Sequence, residues 1–250
     1  MSQIILETKD LSFGVNKGTL LLRHIDLHIE KGKCYILAGL NGSGKSLLLK
    51  NIKGLLNPTS GKIFIEGQDL THSPSKRRAL VGLVFQDADS QIIGQTVEKD
   101  ILFGMENIGT ALTTQQDRLK ETARFMGLTE KLSQRPRTLS GGEKRRLAIA
   151  GIIVMEPQII LMDEPFSNLD FPGIRQVIKT LLQLKQQGYT LLIVSHEIEK
   201  FAAHADRILL LEHGMLAFDK PPKEAVELLP SHDIYVPASI PVEEMTWLRQ

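Results

Sequence analysis

Residues 39–46 read Gly39-Leu40-Asn41-Gly42-Ser43-Gly44-Lys45-Ser46, and the apolar run Tyr35-Ile36-Leu37-Ala38 stands directly before them. The octet fits the spacing G-x-x-x-x-G-K-[ST] in full, and residues 46–52 behind it have helical character. Strand, glycine loop and helix in that order make a phosphate cradle. The glycines let backbone N–H groups curl around an anion with no Cβ in the way, and the helix start near Lys45 adds its positive dipole end. In such a loop Lys45 reaches the β- and γ-phosphates of a nucleoside triphosphate, and the Ser46 hydroxyl ligates Mg²⁺.

Downstream, Ile159-Ile160-Leu161-Met162-Asp163-Glu164 is an apolar strand pattern ending in two acids. Asp163 is expected to hold Mg²⁺, directly or through water, completing the metal site begun by Ser46. Glu164 then stands where an attacking water would be polarised and is the general-base candidate. A second apolar run, Leu191-Leu192-Ile193-Val194, follows a helix expected over residues 174–187 and ended near Gly188. Continuous apolar runs suit parallel strands covered on both faces, and the order is a strand–helix–strand unit. Upstream, short strands are expected at Ile4-Ile5-Leu6, Leu20-Leu21-Leu22, Ile25-Asp26-Leu27-His28-Ile29 and Lys62-Ile63-Phe64-Ile65. Turn signals separate them at Asn16-Lys17-Gly18, Lys31-Gly32, Asn57-Pro58 and Thr59-Ser60-Gly61. From about residue 97 to 155 the periodicity is helical, with Leu119, Ala123 and Met126 before a helix stop at Gly127. The fold class expected is α/β: a P-loop NTPase core with a parallel sheet, an N-terminal antiparallel β layer and an inserted helical subdomain. The tail after Pro221-Pro222 carries no readable pattern.

The 250 residues suit one compact domain or two closely packed lobes. Lys and Arg number 30 against 29 Asp and Glu, a near-neutral balance that argues against nucleic acid as a partner. The single cysteine, Cys34, lies in an apolar run, so a disulfide framework within the chain is excluded and a buried thiol expected. The most apolar stretch, residues 147–155, is stopped by Glu156 and Pro157, well short of the roughly 20 residues that span a bilayer. The start of the chain has Glu7 and no basic-then-apolar leader, so no signal peptide is expected. Work at a membrane would then require another chain to hold this one there.

Leu139-Ser140-Gly141-Gly142-Glu143 sits just before a helical stretch with Leu147, Ala150, Gly151 and Val154 on one face. A serine hydroxyl, two glycines and a helix start make a second anion site. The pentad resembles the signature of the ABC (ATP-binding cassette) family, in which it closes over nucleotide held by a partner subunit. Further matches occur in that family's order. Gln86 in Val84-Phe85-Gln86 resembles the glutamine that touches Mg²⁺ and senses the transmembrane partner. Ser167-Asn168-Leu169-Asp170 resembles the loop that communicates between two sites, and His196 after Val194-Ser195 the histidine that contacts the γ-phosphate. Asn57-Pro58-Thr59-Ser60-Gly61 resembles the turn after the first helix.

The resemblance spans roughly residues 5–220. It implies an ABC ATPase domain over 1–220 with its helical subdomain at about 88–155, and a tail over 221–250. It also implies ATP and Mg²⁺ as cofactors. Glu164, His196 and Gln86 are the implied catalytic residues, and Ser46, Gln86 and Asp163 the implied metal ligands. Nucleotide contacts are implied for Gly39, Leu40, Asn41, Gly42, Ser43, Gly44, Lys45, Ser46 and Leu47, and for Ser140, Gly141 and Gly142. Two departures stand out. Val15 occupies the place of an aromatic that stacks on adenine, with Phe13 either a substitute or a core residue. Leu47 replaces the usual Thr, removing a hydroxyl but keeping its backbone N–H, a loss on the scale of one hydrogen bond, about 0.5–1.5 kcal/mol.

The stretch from Val84 to Asn107, with Asp89, Gln91, Glu98, Asp100 and Asn107, resembles the energy-coupling-factor group, which includes cobalt, nickel and biotin uptake ATPases. That resemblance implies a peripheral subunit on the cytoplasmic face of the cell membrane, working as a homodimer or with a second ABC ATPase. It further implies a membrane coupling subunit, a separate substrate-binding membrane subunit, and a vitamin or transition-metal ion as cargo. The rival reading is a soluble ABC ATPase acting on DNA or ribosomes. The chain lacks the long coiled coils or the paired cassettes of those proteins.

Overall fold

The computed structural model describes residues 3–16 and 18–248. The chain opens with two long strands, β1 (Ile4–Asn16) and β2 (Thr19–Glu30), then β3 (Cys34–Ala38) and helix α1 (Lys45–Lys53). Next come β4 (Ser60–Ile65), β5 (Gln68–Asp69), α2 (Pro74–Leu80), β6 (Val81–Val84), and the helices α3 (Ala88–Gln91), α4 (Val97–Asn107), α5 (Leu112–Phe125) and α6 (Gly141–Ile153). The last part holds β7 (Ile159–Asp163), α7 (Phe171–Gln186), β8 (Thr190–Val194), β9 (Arg207–Glu212), β10 (Met215–Lys220) and α8 (Pro222–Leu228).

Two sheets form, each built as its residue pattern dictates. The antiparallel sheet has the order β2-β1-β4-β5. In β2, Ile25, Leu27 and Ile29 turn inward while Asp26 and His28 face out, the period of a half-covered strand. The second sheet has the order β10-β9-β3-β8-β7-β6, with the last five strands parallel and β10 antiparallel at the edge. Every residue of β3, β6 and β8 is buried, as a sheet covered on both faces requires. One core lies between the two sheets and α1; the other fills the opposite face under α4–α7 and the C-terminal segment. Cys34 sits in the second core, and burial pushes its thiol up to about 12.

Several expectations are corrected. The strands expected at 20–22 and 25–29 are one, β2, interrupted by a bulge where His24 takes φ 50° and its N–H donates to Ser12 Oγ at 3.0 Å. Ile4-Ile5-Leu6 likewise begins a strand that runs on to Asn16. The turn expected at Asn16-Lys17-Gly18 includes Lys17, which lies outside the described residues. Helix α7 starts earlier than position 174, because Asp170 caps it by accepting from the Gly173 N–H at 2.9 Å. Helix α6 is buried nearly all round rather than on one face, since it packs against α3, α4, α5, α7 and β6 at once. Residues 221–248, where the sequence carries no readable pattern, hold α8 and a packed segment beyond it. Val242 and Met245 are buried, Met245 C=O accepts from the Ala203 N–H at 3.1 Å, and Trp247 lies 5.5 Å from the Phe171 ring. Among the described residues no helix is long and apolar enough to cross a membrane.

Because β3, β6, β7 and β8 are parallel, their C-terminal ends share one edge of the sheet. The register aligns Leu37 with Val194, Val194 with Asp163, and Met162 with Val84. The loops that leave these four strands therefore converge outside that edge, where open α/β sheets bind ligands.

Candidate functional site

The glycine loop leaves β3 and enters α1 over a chain path that side chains would block. Gly39 has φ 148°, and a Cβ there would meet Leu211 O at 2.3 Å; Gly44 has φ 107°, and a Cβ there would meet the Leu22 side chain at 2.7 Å. Helix α1 begins at Lys45, and its first intrahelical bond is Leu48 N–H to Gly44 C=O at 2.9 Å. The N–H groups ahead of it have no acceptor within the helix, so they face the hollow as anion donors. Lys45 folds back over the loop, its Nζ donating to the carbonyls of Gly39 at 2.6 Å and Leu40 at 2.9 Å. Burial lowers its pKa, against the opposing pull of the Glu164 and Asp163 carboxylates. A loop of this shape, cationic and rich in free N–H groups, fits a polyphosphate.

The hollow has a volume of about 300 Å³ and joins the ends of four strands. Asn41, Gly42, Gly44, Lys45, Ser46 and Leu47 line one side; Gln86 after β6, Asp163 and Glu164 at β7, and His196 after β8 line the other. Ser46, Gln86 and Asp163 are thus among the oxygen-bearing side chains that line one space, with Asn41 and Glu164 beside them, and together they make a donor set suited to a hard divalent cation. Glu164 is 8% exposed and takes φ 48°, a left-handed conformation uncommon outside glycine. Its backbone is fixed on both sides. Its N–H donates to Val194 C=O at 3.1 Å, and its C=O accepts from the Ser167 hydroxyl at 2.8 Å. The carboxylate meets His196, with Nδ1 2.9 Å from Oε1.

Not every expected contact residue lines this hollow. Leu40 and Ser43 face a smaller space of about 130 Å³ behind the loop, and Gly39 serves through its carbonyl to Lys45. Ser140, Gly141 and Gly142 lie outside it. Ser140 instead caps α6, accepting from the Glu143 N–H at 3.3 Å while Glu143 Oε2 accepts from the Ser140 N–H at 2.8 Å. The Ser140 N–H, with Lys131 adding to it, holds the Glu143 carboxyl below its usual range. Phe13 packs into the core between the sheets, whereas Val15 is 71% exposed at the end of β1. Phe13 is therefore a core residue and not a stacking platform.

Motif reading passes over Arg145. It is buried on α6, its Nη1 donating to Phe85 C=O and its Nη2 to Gln86 C=O, each at 2.6 Å. The available signal was a charged residue inside the helix that follows the Ser-Gly-Gly pentad.

Residues 22–167, more than half of the chain, match the ABC transporter family. An energy-coupling factor transporter ATP-binding protein, EcfA, of Methanocaldococcus jannaschii is 37% identical over 223 residues, covering 88% of this chain and 80% of that protein. A putative ABC transporter ATP-binding protein of Methanothermobacter thermautotrophicus is 38% identical over 227 residues, 90% of this chain and 81% of that one. The structure of cbiO1 from Clostridium perfringens, part of the ABC transporter complex cbiONQ, superposes with a TM-score of 0.84 at 30% identity, over 92% of this chain and 93% of that one. With a glycine loop, a capped Ser-Gly-Gly helix and an acidic strand end following one another along it, the chain belongs to the ABC transporter ATP-binding proteins, alongside those of the energy-coupling factor transporters.

Proposed function

We propose that this chain is the ATP-hydrolysing subunit of an energy-coupling-factor importer for a vitamin or a transition-metal ion. The observation that carries the reading is the convergence of Lys45, Ser46, Gln86, Asp163, Glu164 and His196 on one hollow, with Glu164 and His196 paired at 2.9 Å. Ser46, Gln86 and Asp163 are the residues that would hold Mg²⁺, which when bound supplies charge neutralisation to the β- and γ-phosphates. The N–H groups of Gly44, Lys45, Ser46 and Leu47 and the Lys45 amine bind and orient the phosphates. Glu164, backed by His196, orients a water for in-line attack and takes its proton. His196, with its ring half exposed, is left free on its other nitrogen to reach the γ-phosphate.

Ser140, Gly141 and Gly142 serve the nucleotide of a second cassette, in a homodimer or a heterodimer with a related ATPase. The helices between residues 88 and 155 form the subdomain that carries this signature. A cleft of about 610 Å³ bordered by Asp89, Ile92, Ile93 and Arg135 adjoins the Gln86 loop and is suited to a membrane coupling subunit. That subunit, with a substrate-binding membrane partner, would hold the chain at the cytoplasmic face of the membrane.

The test is Glu164→Gln, which keeps the shape and removes the base. ATP turnover is expected to fall about 10²- to 10⁴-fold while binding of a fluorescent ATP analogue is retained. Turnover at the native rate would remove Glu164 from the mechanism. Recovery of two membrane proteins with the tagged chain after gentle detergent extraction is expected; recovery of soluble partners alone would overturn the importer reading.

A further inference from the structure

We infer that Arg145 is a positioning residue for Gln86, tying the backbone that carries the metal-facing glutamine to the helix that carries the signature. The inference rests on the reading of Gln86 given above and adds a residue to it. Arg145 reaches across from α6 and donates to two consecutive carbonyls, Phe85 and Gln86, at 2.6 Å each. Its guanidinium is planar and forked, so the two bonds fix both the position and the tilt of the peptide between them. A second side chain fastens the same segment to the same helix. Gln91 Oε1 accepts from the Phe85 N–H at 2.9 Å, and Gln91 Nε2 donates to Ala148 C=O at 3.3 Å. Lys144, one residue before Arg145, pairs with Asp89 at 2.7 Å. Residues 85–91 and α6 are thus bound at three points.

A purely structural arginine exists in the same chain for comparison. Arg77 is fully buried and donates to the Leu70 and Thr71 carbonyls at 3.1 and 2.7 Å, but none of its acceptors borders the hollow. Arg145 differs because one of its acceptors belongs to Gln86, which lines it. Ser140 caps the helix five residues before Arg145, about 7.5 Å along the axis at 1.5 Å per residue. A signature docked on a partner's nucleotide is therefore joined through one rigid helix to the metal-facing loop of its own chain.

The test compares Arg145→Met, which keeps an apolar stem, with Arg145→Lys, which keeps the charge but cannot span both carbonyls. In nucleotide-free protein, amide exchange at residues 85–91 is expected to quicken about tenfold in the Met variant, while residues 147–153 of α6 keep their protection. The free Mg²⁺ that half-saturates ATPase activity is expected to rise about tenfold in the Met variant and less in the Lys variant. The Met variant loses both bonds, but only the one to Gln86 holds the metal-facing residue itself, and about tenfold is on the scale of one hydrogen bond to a charged group. Half-saturation does not depend on the fraction of active protein, so a merely structural role would lower the melting temperature and kcat and leave it unchanged. An unchanged Mg²⁺ requirement in both variants, with or without faster exchange, overturns the inference. Should the Met variant fail to fold, the Lys variant decides alone. Gln86→Ala is the control: a shift there without one at Arg145 overturns only the inference, and no shift in either overturns the reading of Gln86 as well.

Discussion

Single residues in the glycine loop work by what they lack. At Gly39 both the positive φ and the 2.3 Å approach to Leu211 O exclude a side chain. Gly39→Ala is expected to lower folding stability by about 1–3 kcal/mol, the usual cost of forcing such a backbone, and to weaken ATP binding. Urea unfolding and titration with a fluorescent ATP analogue measure the two effects. Lys45, Ser46, Asp163 and Glu164 were legible in the sequence because they sit in the glycine loop or end an apolar run, whereas Gln86 and His196 were reached through the family resemblance. Arg145 was not legible, since its role depends on which carbonyls face it after folding. Phe13 could not be decided either: alternation leaves a strand side chain two directions, and only the position of the second sheet selects the buried one.

At the scale of elements, α1 is fastened at its far end by a lysine. Lys53 Nζ donates to Arg78 C=O at 2.8 Å and to Val81 C=O, joining α1 to α2 and β6 with no carboxylate partner among the described residues. Burial, with Arg78 adding to it, lowers its pKa from 10.5 to about 8. Between these values the unfolded chain binds more protons at this site than the folded one, so stability rises with pH through that window; below about pH 8 the cost of the buried charge is fully present. The wild-type protein is expected to gain about 1–2 kcal/mol from this residue between pH 8 and 9.5, and Lys53→Met to lose that slope. Urea midpoints of both proteins at the two pH values check it. Continuous apolar strands such as β7 and β8 were readable because both faces are covered. Bulged β2 read as two pieces because His24 breaks the alternation, and α7 read short because its cap, Asp170, serves as both helix start and loop residue.

For the whole molecule, Ser140, Gly141 and Gly142 do not line the hollow, and on the function proposed above a second cassette would supply its signature to complete the site. Glu164→Gln with ATP and Mg²⁺ is expected to elute as a dimer and with ADP as a monomer, since the bound γ-phosphate favours the closed arrangement by differential affinity. Monomeric elution in both conditions would count against head-to-tail pairing. The tail belongs to this scale as well. Its Trp247 reaches Phe171 at the start of α7 and Lys200 beyond the His196 loop, contacts that no local pattern in the last 30 residues announces. Cys34 has a practical consequence for such experiments. The one thiol of the chain is buried in the sheet, and burial pushes its pKa well above the usual thiol range, so it is held as the unreactive thiol at neutral pH. The native protein is expected to incorporate no maleimide until denatured, as intact mass spectrometry would report. A cysteine introduced at an exposed position such as Asp89 would then accept a spin label or fluorophore against a blank background, with the native chain needing no prior cysteine removal.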